Sequence, residues 1–139
     1  MSTDRAKPSA GPTATHPPGA GPACVLLVED DAIVAMLVEQ ILLDMALQVL
    51  VVSTLAYALV EVEMASFDVA IIDMHLRGDH ANQLVDALLL GKIPFMVFSG
   101  SDQSKFRTDH PHIPVLGKPF EQAELEQYVR RLLERCDPR

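Results

Sequence analysis

An apolar run that ends in three consecutive acidic residues is the feature of this sequence that most constrains its fold. Cys24 to Val28 are apolar, and Glu29, Asp30 and Asp31 follow directly. A run that is apolar at every position predicts a strand buried on both faces, as in parallel sheets. Carboxylates this close together repel one another unless a cation lies between them. The sequence therefore predicts an anionic pocket for a divalent metal at the end of a strand.

Two further apolar runs end in charged residues. Val69 to Ile72 is followed by Asp73, and Val115 to Gly117 is followed by Lys118. In an open parallel sheet the carboxyl ends of the strands lie along one edge, and ligands bind in the crevice outside that edge. We therefore expect Asp73 and Lys118 to lie beside the acidic residues that follow the first run.

Apolar runs and helical patterns alternate along the chain, which predicts a doubly wound α/β fold. Right-handed crossovers then give five parallel strands in the order 2-1-3-4-5, with helices on both faces. The fourth helix is expected to be short and atypical, because prolines follow it at positions 111 and 114. Strands are predicted near 24–29, 48–52, 68–72, 94–98 and 113–116, and helices near 32–45, 54–65, 80–90, 102–107 and 120–135.

The first predicted helix is apolar on more than one side. Met36 and Leu43 project away from the expected core face, either as ordinary exposed residues or as a contact for a partner or a homodimer. Asp31 precedes the helix and either caps it or reaches the metal through water, and capping is the favoured interpretation. The stripe expected to face the sheet consists of Val34, Leu37, Val38, Ile41, Leu42 and Met45.

Length and composition fit one globular domain preceded by a tail. The chain has 139 residues, of which 49% are apolar, enough for one full core. Residues 1–22 contain five prolines and no Leu, Ile, Val or Phe, so we predict a disordered tail there and a folded domain at 23–139. The sequence has no bilayer-spanning apolar run and no signal-peptide core, which predicts a cytoplasmic protein without membrane contact.

The net charge and the cysteines argue against other functional classes. A net charge of −8 disfavours a nucleic-acid partner, because binding to phosphates depends on clusters of Lys and Arg. Cys24 and Cys136 have neither metal-ligand spacing nor a disulfide pattern. They are interpreted as small apolar residues of the core.

Four short motifs, each at the end of a predicted strand, indicate a known family. They are VEDD at 28–31, IIDM at 71–74, FSG at 98–100 and GKPF at 117–120. In this order they resemble the receiver domains of two-component response regulators, and the resemblance covers residues 24–136. It implies a flavodoxin-like receiver fold and phosphorylation of an aspartate.

The resemblance also implies a role for each residue at these strand ends. Asp73 corresponds to the phosphoacceptor, which takes a phosphoryl group from a sensor histidine kinase or a histidine phosphotransfer protein. Lys118 would pair with the phosphoryl group, and the peptide bond to the following proline is expected to be cis. The Ser99 hydroxyl would donate to a phosphoryl oxygen, unless this serine is an ordinary turn residue. Mg²⁺ would be held by the carboxylates of Glu29, Asp30 and Asp73 and by the backbone carbonyl of His75.

The sequence departs from the usual receiver pattern at three places. The loop Met74 to Gly78 lacks the common proline and resembles a subset of single-domain receivers with a Leu-Arg-Gly loop. Ser101 and Val115 stand where many receivers carry switch aromatics. The usual output face is therefore expected to be remodelled.

These observations predict a stand-alone response regulator that is not an enzyme and that signals through contact with an unknown protein target. Two alternatives come from other classes. A pseudo-receiver would bind its partner without phosphorylation, as the missing switch aromatics allow. A dehalogenase-like phosphatase would carry its nucleophile in an Asp-x-Asp pattern on the first strand, whereas the lone Asp73 follows the third.

Overall fold

The computed structural model describes residues 22–76, 79–100 and 104–136. Residues 1–21, which make up nearly all of the predicted tail, lie outside this part of the chain, as do Arg77, Gly78 and Ser101. The elements are β1 Cys24–Val28, α1 Ala32–Asp44, β2 Gln48–Val52, α2 Leu55–Met64, β3 Val69–Asp73, β4 His75–Leu76, β5 Asp79–His80, α3 Asn82–Leu90, β6 Phe95–Ser99, α4 Ser104–Asp109, β7 Val115–Gly117 and α5 Gln122–Glu134.

Five of the strands form one parallel sheet in the order β2-β1-β3-β6-β7, which confirms the predicted fold class and strand order. β3 and β6 are buried at every position, because helices cover both faces of the sheet. Their continuous apolar sequence is what such a position requires.

Side chains alternate along each strand between two apolar cores. Val25 and Leu27 of β1 point to the core shared with α1 and α5. Leu26 and Val28 point to the opposite core, where α2, α3 and Phe106 of α4 pack. Both cores are formed by the same strands, so the positions of the strand ends are fixed from two sides.

The structure corrects part of the predicted face of α1. Leu37 is 56% exposed, whereas Ala35 is buried in its place. Each residue advances about 100° around a helix, which places Leu37 at the margin of a face centred on Val38. Met36 and Leu43 are exposed, as predicted.

Asp31 is the N-cap of α1. Its carboxylate accepts hydrogen bonds from the backbone N–H groups of Ile33 and Val34, at 2.9 and 3.2 Å. These groups have no partner within the helix, so the carboxylate satisfies their hydrogen bonds. Its negative charge also interacts favourably with the positive end of the helix dipole. The capping interpretation is confirmed.

Two elements differ from their predicted form. β4 and β5 are two-residue strands that pair antiparallel between β3 and α3, and the sequence did not predict them. α4 spans Ser104–Asp109 rather than 102–107, and it ends before Pro111. It is short, as expected. None of the helices in the described residues is long and apolar enough to cross a membrane.

Candidate functional site

Four neighbouring strands bring the candidate residues to one edge of the sheet. Glu29 follows β1, Asp73 ends β3, Ser99 ends β6 and Lys118 follows β7. The strands are adjacent in the order β1-β3-β6-β7 and all point the same way. The backbone N–H of Lys118 donates to the carbonyl of Ser99 at 2.8 Å, which fixes the ends of the last two strands relative to each other.

Three carboxylates converge at this edge. Glu29, Asp30 and Asp73 each offer an oxygen, and these oxygens lie within 4.8 Å of one another. Glu29 is only 1% exposed and Asp73 is also buried, whereas Asp30 is half-buried. Carboxylate oxygens on a partly open edge are the ligands that a hard divalent cation such as Mg²⁺ prefers. The residues present therefore fit a magnesium site.

Backbone groups orient two of these carboxylates. The N–H of Asp31 donates to Oε2 of Glu29 at 3.2 Å. The N–H of His75 donates to Oδ1 of Asp73 at 3.1 Å. His75 thus contacts the site through its backbone, and a metal-binding role for its carbonyl stays a prediction.

Lys118 supplies the cation of the site. Its Nζ lies 3.0 Å from Oε1 of Glu29 and 3.5 Å from Oδ2 of Asp73. Burial alone would lower the pKa of this lysine, but the hydrogen bond to Glu29 and the charges of both carboxylates outweigh it and raise the pKa. The ammonium group is therefore fully charged at neutral pH.

The surroundings of Glu29 raise its pKa. Burial raises its pKa, the hydrogen bond from Lys118 lowers it, and the neighbouring Asp73 raises it again. The net direction is upward, because burial and the neighbouring Asp73 together outweigh the hydrogen bond from Lys118. A bound cation would favour the ionised carboxylate.

Ser99 is buried beside these groups and ends β6. Its backbone carbonyl holds Lys118, as described above. The proposed action of its hydroxyl on a phosphoryl oxygen stays a prediction.

Sequence reasoning missed two aromatic residues that form the apolar side of the site. Phe98 and Phe120 stack with ring centroids 4.9 Å apart and an interplanar angle of 25°. Nζ of Lys118 lies 5.8 Å from the centroid of Phe98, within the range of a cation–π interaction. Their positions in the sequence could have indicated them, because Phe98 directly precedes Ser99 and Phe120 directly follows Pro119. The Lys118–Pro119 peptide bond is cis, as the resemblance implied.

No family model and no curated protein matches the chain. Solved structures do match it. SdrG from Sphingomonas melonis is 34% identical with a TM-score of 0.69, and the match covers 81% of this chain and 97% of that one. A response regulator receiver protein from Sinorhizobium medicae is 25% identical with a TM-score of 0.74, covering 81% and 95%.

A third match is a receiver domain with a bound metal ion. The receiver domain of a sensor histidine kinase from Pseudomonas aeruginosa, 19% identical with a TM-score of 0.72, holds a magnesium ion in its active-site cleft; the match covers 82% of this chain and 99% of that one. At this identity the likeness shows the fold alone.

The fold and the arrangement of three acids and one lysine at the carboxyl edge define a receiver domain. The chain belongs to the receiver domains of response regulators.

Proposed function

We propose that this protein is a response regulator that accepts a phosphoryl group on Asp73 from a histidine kinase or a histidine phosphotransfer protein. One observation carries the proposal: Asp73 lies within a salt-bridge distance of Lys118 and beside two further carboxylates. Nucleophilic attack by a carboxylate on a phosphoryl donor is opposed by anion repulsion. This site combines the nucleophile with groups that can reduce that repulsion.

Glu29, Asp30 and Asp73 are the residues that would hold Mg²⁺, together with the backbone carbonyl of His75. The ion would neutralise charge shared by the donor and acceptor oxygens. The acidic cluster of this chain supports the assignment, as does the magnesium in the Pseudomonas receiver.

The chain's own residues account for the remaining requirements. An oxygen of Asp73 forms the new bond to phosphorus as the bond to the donor histidine nitrogen breaks, and the imidazole keeps that electron pair. The N–H of His75 holds the Asp73 carboxylate in place. Lys118 would move onto the phosphoryl oxygens, and the Ser99 hydroxyl would donate to one of them.

We further propose that the protein has no enzymatic output and acts by contact with a protein target.

A pseudo-receiver is the second candidate, and one observation favours it. Val115, at a position where many receivers carry a switch aromatic, is a buried aliphatic residue. Phosphate incorporation separates the two candidates.

The test is phosphorylation by acetyl phosphate, measured as intact mass with and without Mg²⁺. We expect a gain of one phosphoryl group that requires Mg²⁺ and is lost in Asp73→Asn. Asp44→Asn, an exposed aspartate at the end of α1, is the matched control and should be labelled like the wild type. Labelling of Asp73→Asn at the wild-type rate would refute the assignment, and an unlabelled wild-type protein would favour the pseudo-receiver.

A further inference from the structure

α2 is apolar on two opposite sides, and the fold explains only one of them. Its inner side packs against the core through Ala58, which is buried, and through three partly buried residues at helical spacing, Leu55, Leu59 and Val62. One such stripe is sufficient to dock a surface helix on a sheet. The second apolar side therefore requires another reason.

The outer side of α2 carries Tyr57, Val60 and Met64 at i, i+3 and i+7. All three are exposed, Val60 by 48% and Met64 by 64%. This spacing aligns them in one stripe along the helix, and neighbours in such a stripe contact the same partner. Tyrosine and methionine are the side chains that interfaces favour as an anchor and as an adaptable filler.

The charged residues of α2 itself have a single sign. Between positions 17 and 74 the chain contains acidic residues and no Lys, Arg or His. Glu61 and Glu63 of α2 border the outer stripe. Glu61 accepts a hydrogen bond from the neutral hydroxyl of Ser66 at 2.6 Å. An apolar stripe bordered by carboxylates complements a partner with basic residues around an apolar stripe.

The same charges disfavour a second copy of this chain. In a two-fold symmetric contact each α2 would meet the other, so Glu61 and Glu63 would meet a surface that carries the same two acids. Like charges across an interface are repulsive and select against that partner.

We propose that the outer stripe of α2 is a docking site for a basic amphipathic helix of another protein. The helix would place its apolar residues on Tyr57, Val60 and Met64 and its Lys or Arg residues beside Glu61 and Glu63. This inference goes beyond the phosphoryl-acceptor function and does not depend on it, because α2 contributes no residue to the site.

The probe is a synthetic amphipathic helix of Leu and Lys, and its matched control has every Lys replaced by Glu. Both are titrated into the unphosphorylated full chain with excess Mg²⁺, and amide shifts are recorded by NMR. We expect the basic peptide to shift the amides of α2 and the acidic peptide to leave them unchanged. Shifts confined to the acidic pocket or to α5 would overturn the proposal.

Variants assign the binding to the stripe. The double variant Val60→Gln/Met64→Gln should weaken binding about tenfold or more, the scale expected for anchor residues of an interface. Met36→Gln is the matched control, because Met36 is equally exposed, 69%, but lies on α1. Equal weakening by both variants would overturn the proposal.

Charge reversal provides a test that leaves the apolar side chains in place. Glu63→Lys should weaken binding of the basic peptide and strengthen binding of the acidic one. Glu63 is exposed, so its replacement does not disturb the core. An unchanged preference would contradict the charge argument. A wild-type dimer in sedimentation that the Val60→Gln/Met64→Gln variant abolishes would show that a second copy is the occupant, and would also overturn the proposal.

Discussion

The ammonium nitrogen of Lys118 lies 3.0 Å from Oε1 of Glu29 and is hydrogen-bonded to it. The distance from the same nitrogen to Oδ2 of Asp73 is longer, 3.5 Å. The lysine thus contacts both acids and lies closer to a candidate metal ligand than to the proposed phosphoacceptor. Because the ammonium group donates to Glu29, the pKa of Glu29 depends on the presence of Lys118.

Replacing Lys118 with Met should raise the pKa of Glu29 further, because burial and Asp73 then act without the opposing hydrogen bond. A carboxyl whose pKa is higher in the folded state binds protons more tightly there than in the unfolded chain. Folding stability without metal therefore falls as pH rises from the unfolded value, about 4.3, through the folded pKa.

In Lys118→Met this fall should extend to higher pH than in the wild type. Urea unfolding in EDTA from roughly pH 4 to 8 measures the pH dependence of folding stability. An NMR titration of the Glu29 carboxyl group measures its pKa. Lys105→Met is the control, since Lys105 pairs with Asp109 on the exposed surface of α4. Superimposable pH profiles for Lys118→Met and the wild type would contradict the coupling.

Asp30→Asn should stabilise the metal-free protein and weaken Mg²⁺ binding. Removing one of three clustered carboxylates relieves like-charge repulsion and also removes a metal ligand. We expect an increase in melting temperature of about 2–5 °C in EDTA, equivalent to about 1 kcal/mol. The further increase in melting temperature on adding Mg²⁺ should be smaller than in the wild type. Glu63→Gln, an exposed acid on α2, should change neither quantity. A destabilised variant that keeps the full Mg²⁺ response would place the metal elsewhere.

Asp31→Ala should destabilise the protein, whereas Asp30→Asn should stabilise its metal-free form, although both residues belong to the same acidic triplet. The variant loses the two hydrogen bonds that cap α1. We expect a loss of about 1 kcal/mol in urea unfolding and an unchanged Mg²⁺ affinity. Asp31→Asn, which retains a capping side chain, should recover most of the stability. Weaker Mg²⁺ binding in Asp31→Ala would show that this carboxylate also serves the metal.

The sequence was sufficient to predict the sheet, because uninterrupted apolar runs occur where strands are covered on both faces. It also predicted which residues meet at the carboxyl edge, since parallel strands end together. Leu37 was placed wrongly because α1 is apolar on several sides, so its periodicity does not define one face. The pairing of β4 with β5 was missed because two-residue strands are too short to show a periodic pattern.

Tertiary details of the site could not be predicted. The stacking of Phe98 on Phe120 joins β6 to the segment after β7, and no local pattern encodes such a contact. The preference of Lys118 for Glu29 over Asp73 is a difference of half an ångström in side-chain position. Motif order predicts which groups meet, whereas packing decides which of them bond.

Cys24 should be an unreactive thiol despite being only half-buried. Burial raises its pKa to about 11, with further contributions from Asp68 and Glu61. Relative to an ordinary thiol, the thiolate fraction at pH 8 is about 100-fold lower, and the thiolate is the reactive form. In Cys136→Ser, alkylation by iodoacetamide should be correspondingly slow in the folded protein and normal in urea. Equal rates in both states would show that the pKa is not raised.

Phosphorylation should change the backbone of the segment 99–113 rather than rotate an aromatic side chain. Val115 supplies no ring, and Ser99, beside Asp73, lies at the start of this segment. α4 is six residues long, and Phe106 is the one buried residue of this helix, so little local stability opposes a shift. Hydrogen exchange with Mg²⁺ alone and with Mg²⁺ and beryllofluoride, a phosphoryl mimic, should differ mainly at residues 104–113. Asp73→Asn should show no difference. Changes confined to α1 would place the switch on the opposite face of the sheet.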